Sequence, residues 1–422
     1  MKFLFIHQNF PGQFKHLAPA LAAQGHDVVA LTLRVKEPTT WQGVRVVPYA
    51  IKRGSGQALH PWLVDLDTKV TRAEACFHAA RALRDRGFTP DVIIAHPGWG
   101  ESLFLKDVFP EARIGLYCEL YHPSEYPHTG FDPEFQPEIT ITEPLRLRMK
   151  NLNNHLSFAM GDAGLSPTRF QADTFPESFR DKITVCFDGI RTDLLVRNDA
   201  VKFALDDATT LTREDEIITF VNRNLEPYRG YHVFMRALPR LLKERPNARV
   251  LIVGGDEVSY GARPPKGKTW KQIYIDEVRG QIPDADWARV HFLGRIPYDR
   301  FMQLLQVSRV HVYLTYPFVL SWSLFETMSV EGAIVASATP PVEELITDGE
   351  TGRLVDFFDG EALVDEVCDL LDDPEERARL GRNARAHVVE NYDLAKVCLP
   401  GQLKWVRDLA AMPPSKMGSP CI

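Results

Sequence analysis

The feature that most constrains this chain is a recurring grammar: a short apolar run, a turn, then a segment with helical spacing. Lys2–Ile6 is an apolar run that ends at His7, and Gln8-Asn9-Phe10-Pro11-Gly12-Gln13 is a turn. Phe14, Leu17, Ala18, Leu21 and Ala22 then follow helical spacing, closed by Gly25. Val28–Leu33, Val44–Val47, Asp91–Ala95 and Ile114–Leu120 are further strand-like runs. Short apolar runs separated by helices predict parallel strands buried on both faces.

Near residue 165 the texture changes. Pro167, Pro176 and the polar run Glu177–Lys182 read as a crossing between domains. A second series follows, with strands at Ile217–Val221, Val250–Val253, Val290–Leu293, Val310–Leu314 and Ile334–Ala336. Val233, Phe234, Ala237, Leu238, Leu241 and Leu242 mark a helix face, with Pro239 a potential kink. Asp373-Pro374-Glu375-Glu376 is a helix start: a capping Asp, Pro at the first position and acids in the first turn. The fold class predicted is α/β, as two doubly wound, Rossmann-like domains facing each other across a cleft. The expected division is 1–183, 184–394, a C-terminal helix over 395–412 returning to the first domain, and a disordered tail, 413–422.

Composition narrows the classes. A length of 422 residues suits two or three domains, and 45% hydrophobic with 25% charged residues is ordinary for a globular chain. The net charge of −7 argues against a protein that mainly grips nucleic acid. The six cysteines are scattered with no C-x2-C pair, which fits neither a zinc ribbon nor a disulfide framework. The opening MKFLFIHQNF has an apolar run too short for a signal peptide, and no 18-residue apolar stretch occurs. The expectation is a cytoplasmic protein, with a peripheral position on the inner membrane surface left open.

Doubly wound sheets bind ligands at their strand C-termini, so the loops there carry the candidates. Arg223 ends the run Phe220-Val221-Asn222, and Arg229-Gly230 opens the next helix. Two guanidiniums beside a helix N-terminus suit a diphosphate, and two solvated loop arginines would give the same spacing. Glu326, in an apolar helical stretch, could accept both hydroxyls of a ribose or simply face solvent. His122, Glu125 and His128 resemble a metal set only on paper, because two prolines break the helix such a set needs. The triplets Asp65-Leu-Asp67 and Asp284-Ala-Asp286 do not follow strands in the way a metal–diphosphate site requires. No metal and no cofactor are expected.

The second half resembles the nucleotide-binding domain of glycosyltransferase family 4, in the glycosyltransferase B fold. The stretches that carry the likeness are VNRNLEPYRGYHVFMRALPRLL, ARVLIVGG, VHFLGRIPYDRFMQLLQVSRVHVYL, SLFETMSVEGAIVAS and EELITDGETGRLV, in family order from about 184 to 390. The first half is similar more loosely, through HQNFPGQF and a Tyr117-Cys118-Glu119 strand end typical of one branch. The resemblance implies retaining, metal-independent transfer from a UDP- or GDP-hexose to a glycan, lipid-linked or small-molecule acceptor, in surface polysaccharide or glycoconjugate synthesis. It places Arg223 and Arg229 at the donor phosphates, where the family usually has Arg then Lys. It places Glu326 on the ribose, and Gly12, Gly254, Arg295, Ile296, Ser321 and Ser323 around the donor. Glu119 is implied as a contact of acceptor or sugar, or as a catalytic carboxylate; a structural acid reads equally well. The family's paired glutamates stand eight apart, and eight before Glu326 is Phe318, so the first acid is missing. Two alternatives stay open: a nucleotide-sugar epimerase, and a non-catalytic sugar-nucleotide-binding subunit.

Overall fold

The computed structural model describes residues 1–56, 58–123, 130–135 and 140–415. They form two units. The first comprises the described residues of 1–123, 140–189 and 394–415; the second takes 130–135 and 190–393.

In the first unit the apolar runs become strands β1 (Lys2–Ile6), β2 (Asp27–Thr32), β3 (Thr39–Trp41), β4 (Val44–Pro48), β5 (Val92–Ala95), β6 (Arg113–Tyr117), β7 (Ala163–Ser166) and β8 (Ile183–Val185). Their order is β3-β4-β2-β1-β5-β6-β7-β8. All pairings are parallel except β3 with β4. Because both faces are covered, alternate residues of one strand enter different cores. Leu4 and Ile6 pack with Val29, Ile93 and Ile114, while Phe3 and Phe5 pack with Phe14 and Leu17. The second of these layers is completed from the far end of the chain. Trp405, Val406 and Leu409, on helix Leu399–Ala411, lie in the same cluster as Phe5 and Tyr117. Gly115 makes room for them: a Cβ there would stand 2.4 Å from Trp405 Cη2.

The second unit holds a two-stranded ribbon of β9 (Phe203–Ala204) and β10 (Thr210–Leu211), and a parallel sheet. The sheet strands are β11 (Ile217–Asn224), β12 (Arg249–Gly255), β13 (Val290–Gly294), β14 (Val310–Tyr313), β15 (Ala333–Ser337) and β16 (Arg353–Val355), in the order β13-β12-β11-β14-β15-β16. Helix Tyr231–Glu244 continues through Pro239, at the cost of one backbone hydrogen bond. Its buried Phe234, Leu238, Leu241 and Leu242 hold it to the sheet, with Phe234 stacked on Phe220 at 4.4 Å. Asp373 caps helix Pro374–Tyr392 as expected, accepting from the N–H groups of Glu375 and Glu376 at 3.0 and 2.9 Å.

Two features depart from the sequence reading. The stretch from Ala163 to Val185 is not a crossing but part of the first sheet: β7, helices Arg169–Asp173 and Glu177–Arg180, then β8. The prolines mislead because they punctuate helix starts, with Thr168 capping one helix and Pro176 preceding the other. The passage to the second unit comes at 189–190. Residues 130–135 also pack in the second unit. Phe131 meets Tyr316, Phe357 and Phe358, and Asp132 accepts from Tyr316 Oη at 2.6 Å and faces His232 Nε2 at 2.9 Å. Of the expected tail, residues from 416 on lie outside the described residues.

Candidate functional site

Each sheet is wound outward in both directions from a central pair of parallel strands, and the reversal of winding there gathers polar side chains at strand C-termini. In the first unit the reversal lies between β1 and β5, the strands that precede His7 and His96. Both histidines are buried, at 2% exposure each. His7 Nδ1 accepts from the Asn9 N–H at 3.0 Å, so Nε2 carries the proton and donates to Gln13 Oε1 at 2.8 Å. Gln13 Nε2 in turn donates to Glu119 Oε1 at 2.9 Å. His96 follows the same logic. Its Nδ1 accepts from the Gly98 N–H at 3.1 Å, which turns Nε2 toward Glu119 Oε2, 3.4 Å away. The His96 ring stacks on Trp99 at 4.1 Å.

The half-buried Glu119 is thus the acid of a relay that runs through Gln13 to His7 and faces His96. Burial, then the neighbouring His96, pulls His7 down to about 3, so the imidazole is neutral at ordinary pH. Gly12 belongs to this cluster through space rather than charge. At φ +47° its backbone lies so close that a Cβ would stand 2.5 Å from His7 Cε1.

In the second unit the reversal lies between β11 and β14. Arg223, near the end of β11, is exposed. Arg229 is buried at 6% exposure. Its Nη1 donates to Thr315 Oγ1 at 2.8 Å, and the guanidinium lies 5.2 Å from the Tyr260 ring centroid and 5.8 Å from that of Phe318. Among the described residues it forms no ion pair with a carboxylate. Phe318, eight residues before Glu326, therefore covers this cation with a ring face. Gly230, next in sequence, has φ +68°, and a Cβ there would stand 2.2 Å from Leu314 Cβ. The glycine lets helix Tyr231–Glu244 begin hard against the end of β14.

The other candidates sort by neighbourhood. Gly254 lies under Leu225, and at Gly255 a Cβ would meet Arg295 Nε and Asn224 Oδ1 at 2.6 Å each. Arg295 donates to Asn224 Oδ1 at 2.9 Å and Glu257 Oε2 at 2.6 Å; Ile296 beside it is partly exposed. Ser321 caps helix Trp322–Ser329: its Oγ accepts from the Ser323 N–H at 3.3 Å and the Ser323 hydroxyl at 2.8 Å. Glu326, buried on the same helix, accepts from Tyr298 Oη at 2.7 Å.

Several residues escaped the sequence reading. Glu226 is 1% exposed, and its carboxylate collects the N–H groups of Ser259, Tyr260 and Gly261 at 3.1 to 3.4 Å, fixing the loop that carries Tyr260. His96, Gln13, Thr315 and Tyr298 were also unassigned. A polar residue immediately after a strand is a signal for His96 and Thr315; the partners of Glu226 are main-chain groups and leave no trace in side-chain spacing. Of the metal candidates, Glu125 and His128 lie outside the described residues. Asp65 pairs with Lys69 at 2.7 Å, Asp67 accepts from the Gly56 N–H, Asp284 pairs with Arg279 and Asp286 with Arg289. The structure instead groups Asp132, Glu134 and His232, where Asp132 already serves His232 and Tyr316, and Glu134 serves Arg236.

Comparison with known proteins bears on the family and the fold. Residues 24–195 match the model described as glycosyl transferase family 4 group, and residues 202–387 the model described as glycosyl transferases group 1. A phosphatidyl-myo-inositol mannosyltransferase of Mycolicibacterium smegmatis is 31% identical over 191 residues, 44% of this chain and 43% of the relative. A D-inositol 3-phosphate glycosyltransferase of Corynebacterium efficiens is 28% identical over 174 residues, 41% of this chain and 38% of the relative. The chain thus spans about two fifths of the length of these two relatives. The sucrose-phosphate synthase of Thermosynechococcus elongatus shares the fold with a TM-score of 0.73 at 17% identity, covering 98% of this chain and all of that one. Anabaena HepE in complex with UDP-glucose does so with a TM-score of 0.66 at 15% identity, covering 97% of this chain and 100% of that one. No helix among the described residues is long and apolar enough to cross a membrane. With family models matching both of its Rossmann-like units in order, this chain belongs to glycosyltransferase family 4.

Proposed function

We propose that the protein transfers a hexosyl group from a nucleotide-diphosphate sugar to a hydroxyl of a glycan, lipid-linked or small-molecule acceptor, with retention at the anomeric carbon and without a metal. The observation that carries this is Arg229. A guanidinium at 6% exposure with no carboxylate partner among the described residues is a buried charge awaiting an anion. It sits at a sheet reversal beside a helix N-terminus, with the exposed Arg223 near the end of β11 just before it in the chain. A diphosphate supplies the missing charge, and HepE, of the same fold, is a complex with UDP-glucose.

In this reading the bond from the anomeric carbon to the β-phosphate oxygen breaks and the bond to the acceptor oxygen forms on the same face. The acceptor proton passes to the departing phosphate, which removes the need for a protein base. Arg229, held by Thr315 and the rings of Tyr260 and Phe318, is already oriented where negative charge develops. Glu326 accepts the ribose hydroxyls. Glu119, oriented by Gln13 and facing His96, holds the acceptor or the sugar. Phe318 favours a second reading, donor binding without turnover, because the family's first acid is absent there.

Calorimetry with a panel of nucleotide-diphosphate sugars, followed by product mass for the binder, tests the proposal. One donor should bind the wild type and lose at least tenfold in affinity with Arg229→Ala. Equal binding by that variant, or no binding across the panel, overturns it. Binding without product over a broad acceptor panel selects the second reading.

A further inference from the structure

The second unit contains a cavity of about 540 Å³ whose wall is unusually rich in arginine: Arg197, Arg213, Arg309 and Arg377 all line it. Its place in the fold separates it from the donor half-site. Arg309 immediately precedes β14, and Arg213 lies between β10 and β11, so the cavity is at the N-terminal ends of the strands. The donor half-site is at their C-terminal ends, roughly 15 Å along the same sheet at about 3.3 Å per residue.

The charge balance of the wall is incomplete. Asp199 serves Arg197 at 2.7 Å and Arg213 at 3.5 Å, and Glu331 faces Arg197 at 3.7 Å, so these two guanidiniums are the paired half of the wall. Asp372 is committed to Arg245 at 2.6 Å, and Glu214 is exposed. Arg309 donates to the carbonyls of Arg213 and Glu214, and Arg377 to those of Leu370 and Leu371. Carbonyls orient a guanidinium without neutralising it, and among the described residues neither Arg309 nor Arg377 forms an ion pair with a carboxylate. Burial, then Arg197, pulls Arg213 down to about 10, and burial, then Arg309, lowers Arg377. A cluster of held, mutually repelling forks around a volume of small-ligand size has the chemistry of a phosphate receptor.

We propose that this cavity is a second ligand site, distinct from the donor half-site, that binds a small organic phosphate bearing two or more negative charges. The proposal is independent of the transfer reaction above. Its recognition would rest on Arg197 and Arg213 near Asp199 and on the carbonyl-held Arg309 and Arg377.

The test is calorimetry of the full chain with pyrophosphate, without divalent metal and at low salt. It is run in the Arg229→Met background so that the anion site beside Thr315 contributes little. Pyrophosphate should still bind, and Arg197→Gln should weaken it at least tenfold. Asp199→Asn, which removes the carboxylate shared by Arg197 and Arg213, should tighten it severalfold, and this variant decides the matter should Arg197→Gln fail to fold. No binding in the Arg229→Met background, or binding indifferent to both Arg197→Gln and Asp199→Asn, overturns the proposal and leaves the four arginines as loop staples.

Discussion

The hydroxyl of Tyr298 donates to Glu326 Oε1 at 2.7 Å, from a side chain that is largely exposed to one that is 6% exposed. A buried carboxylate on helix Trp322–Ser329 is thereby reached by the first residue of helix Tyr298–Val307, which follows β13. Burial, then Glu326, raises the Tyr298 phenol, so it remains a donor throughout the ordinary pH range.

If Glu326 also accepts a ribose, Glu326→Gln should weaken donor and free nucleotide equally, by about 1.5–3 kcal/mol, the range for hydrogen bonds to a charged group. Tyr298→Phe removes one donor and leaves the carboxylate, so its loss should stay within about 1 kcal/mol. Calorimetry with free UDP and GDP measures both. Unchanged nucleotide affinity in Glu326→Gln discards the ribose role.

Arg229 predicts a split between stability and turnover. Arg229→Ala should lower kcat/KM by about 100-fold or more, and Arg229→Lys by less, because the charge is kept. Arg229→Met should be as inactive as the alanine variant yet melt at the wild-type temperature or above it, since a buried charge with no carboxylate partner among the described residues is replaced by an apolar side chain. A melting temperature several degrees lower would mean that the Thr315 hydrogen bond matters more than the charge.

His7 predicts a pH dependence. The folded protein protonates it only near pH 3, while the unfolded imidazole takes a proton below its ordinary value of 6.5. Between those values the unfolded state binds more protons, so stability falls as the pH falls. Denaturant melts of wild type and His7→Gln at pH 7 and 5 should show the wild type losing about 2 kcal/mol more than the variant. His311, lowered to about 4 by burial in β14, is present in both proteins and cancels in the difference. Equal losses would mean that His7 is not held neutral.

Transfer should persist in EDTA, because Asp65, Asp67, Asp284 and Asp286 each have a partner within the protein. Loss of activity restored by magnesium or manganese would redirect attention to Asp132, Glu134 and His232, and Asp132→Asn would then abolish the restoration.

The strands that were legible in the sequence are those with branched apolar runs, such as Ile217–Val221 and Ile334–Ala336. The ones that were not lack that signature. Thr39–Trp41 is a polar, exposed edge strand, and Ala163–Ser166 is built from small residues that bury easily without an apolar run. The site divides along similar lines. Arg229 stood out as a loop arginine, but its burial depends on Thr315, Tyr260 and Phe318, which arrive from other loops. Glu119 was visible beside a strand end, whereas its orientation by Gln13 and its approach to His96 are products of the strand order β1-β5-β6.

The interleaving of the two units has a consequence for biosynthesis. The chain passes between them four times, and neither is a continuous stretch of polypeptide. During translation the second unit has every strand and the 130–135 segment in hand once residue 393 has emerged. The first unit, begun earlier, must wait for Trp405, Val406 and Leu409 before the layer around Phe5 and Tyr117 is sealed. The half that is made first is therefore finished last, and a nascent chain paused before residue 399 carries an open apolar face for chaperones to shield.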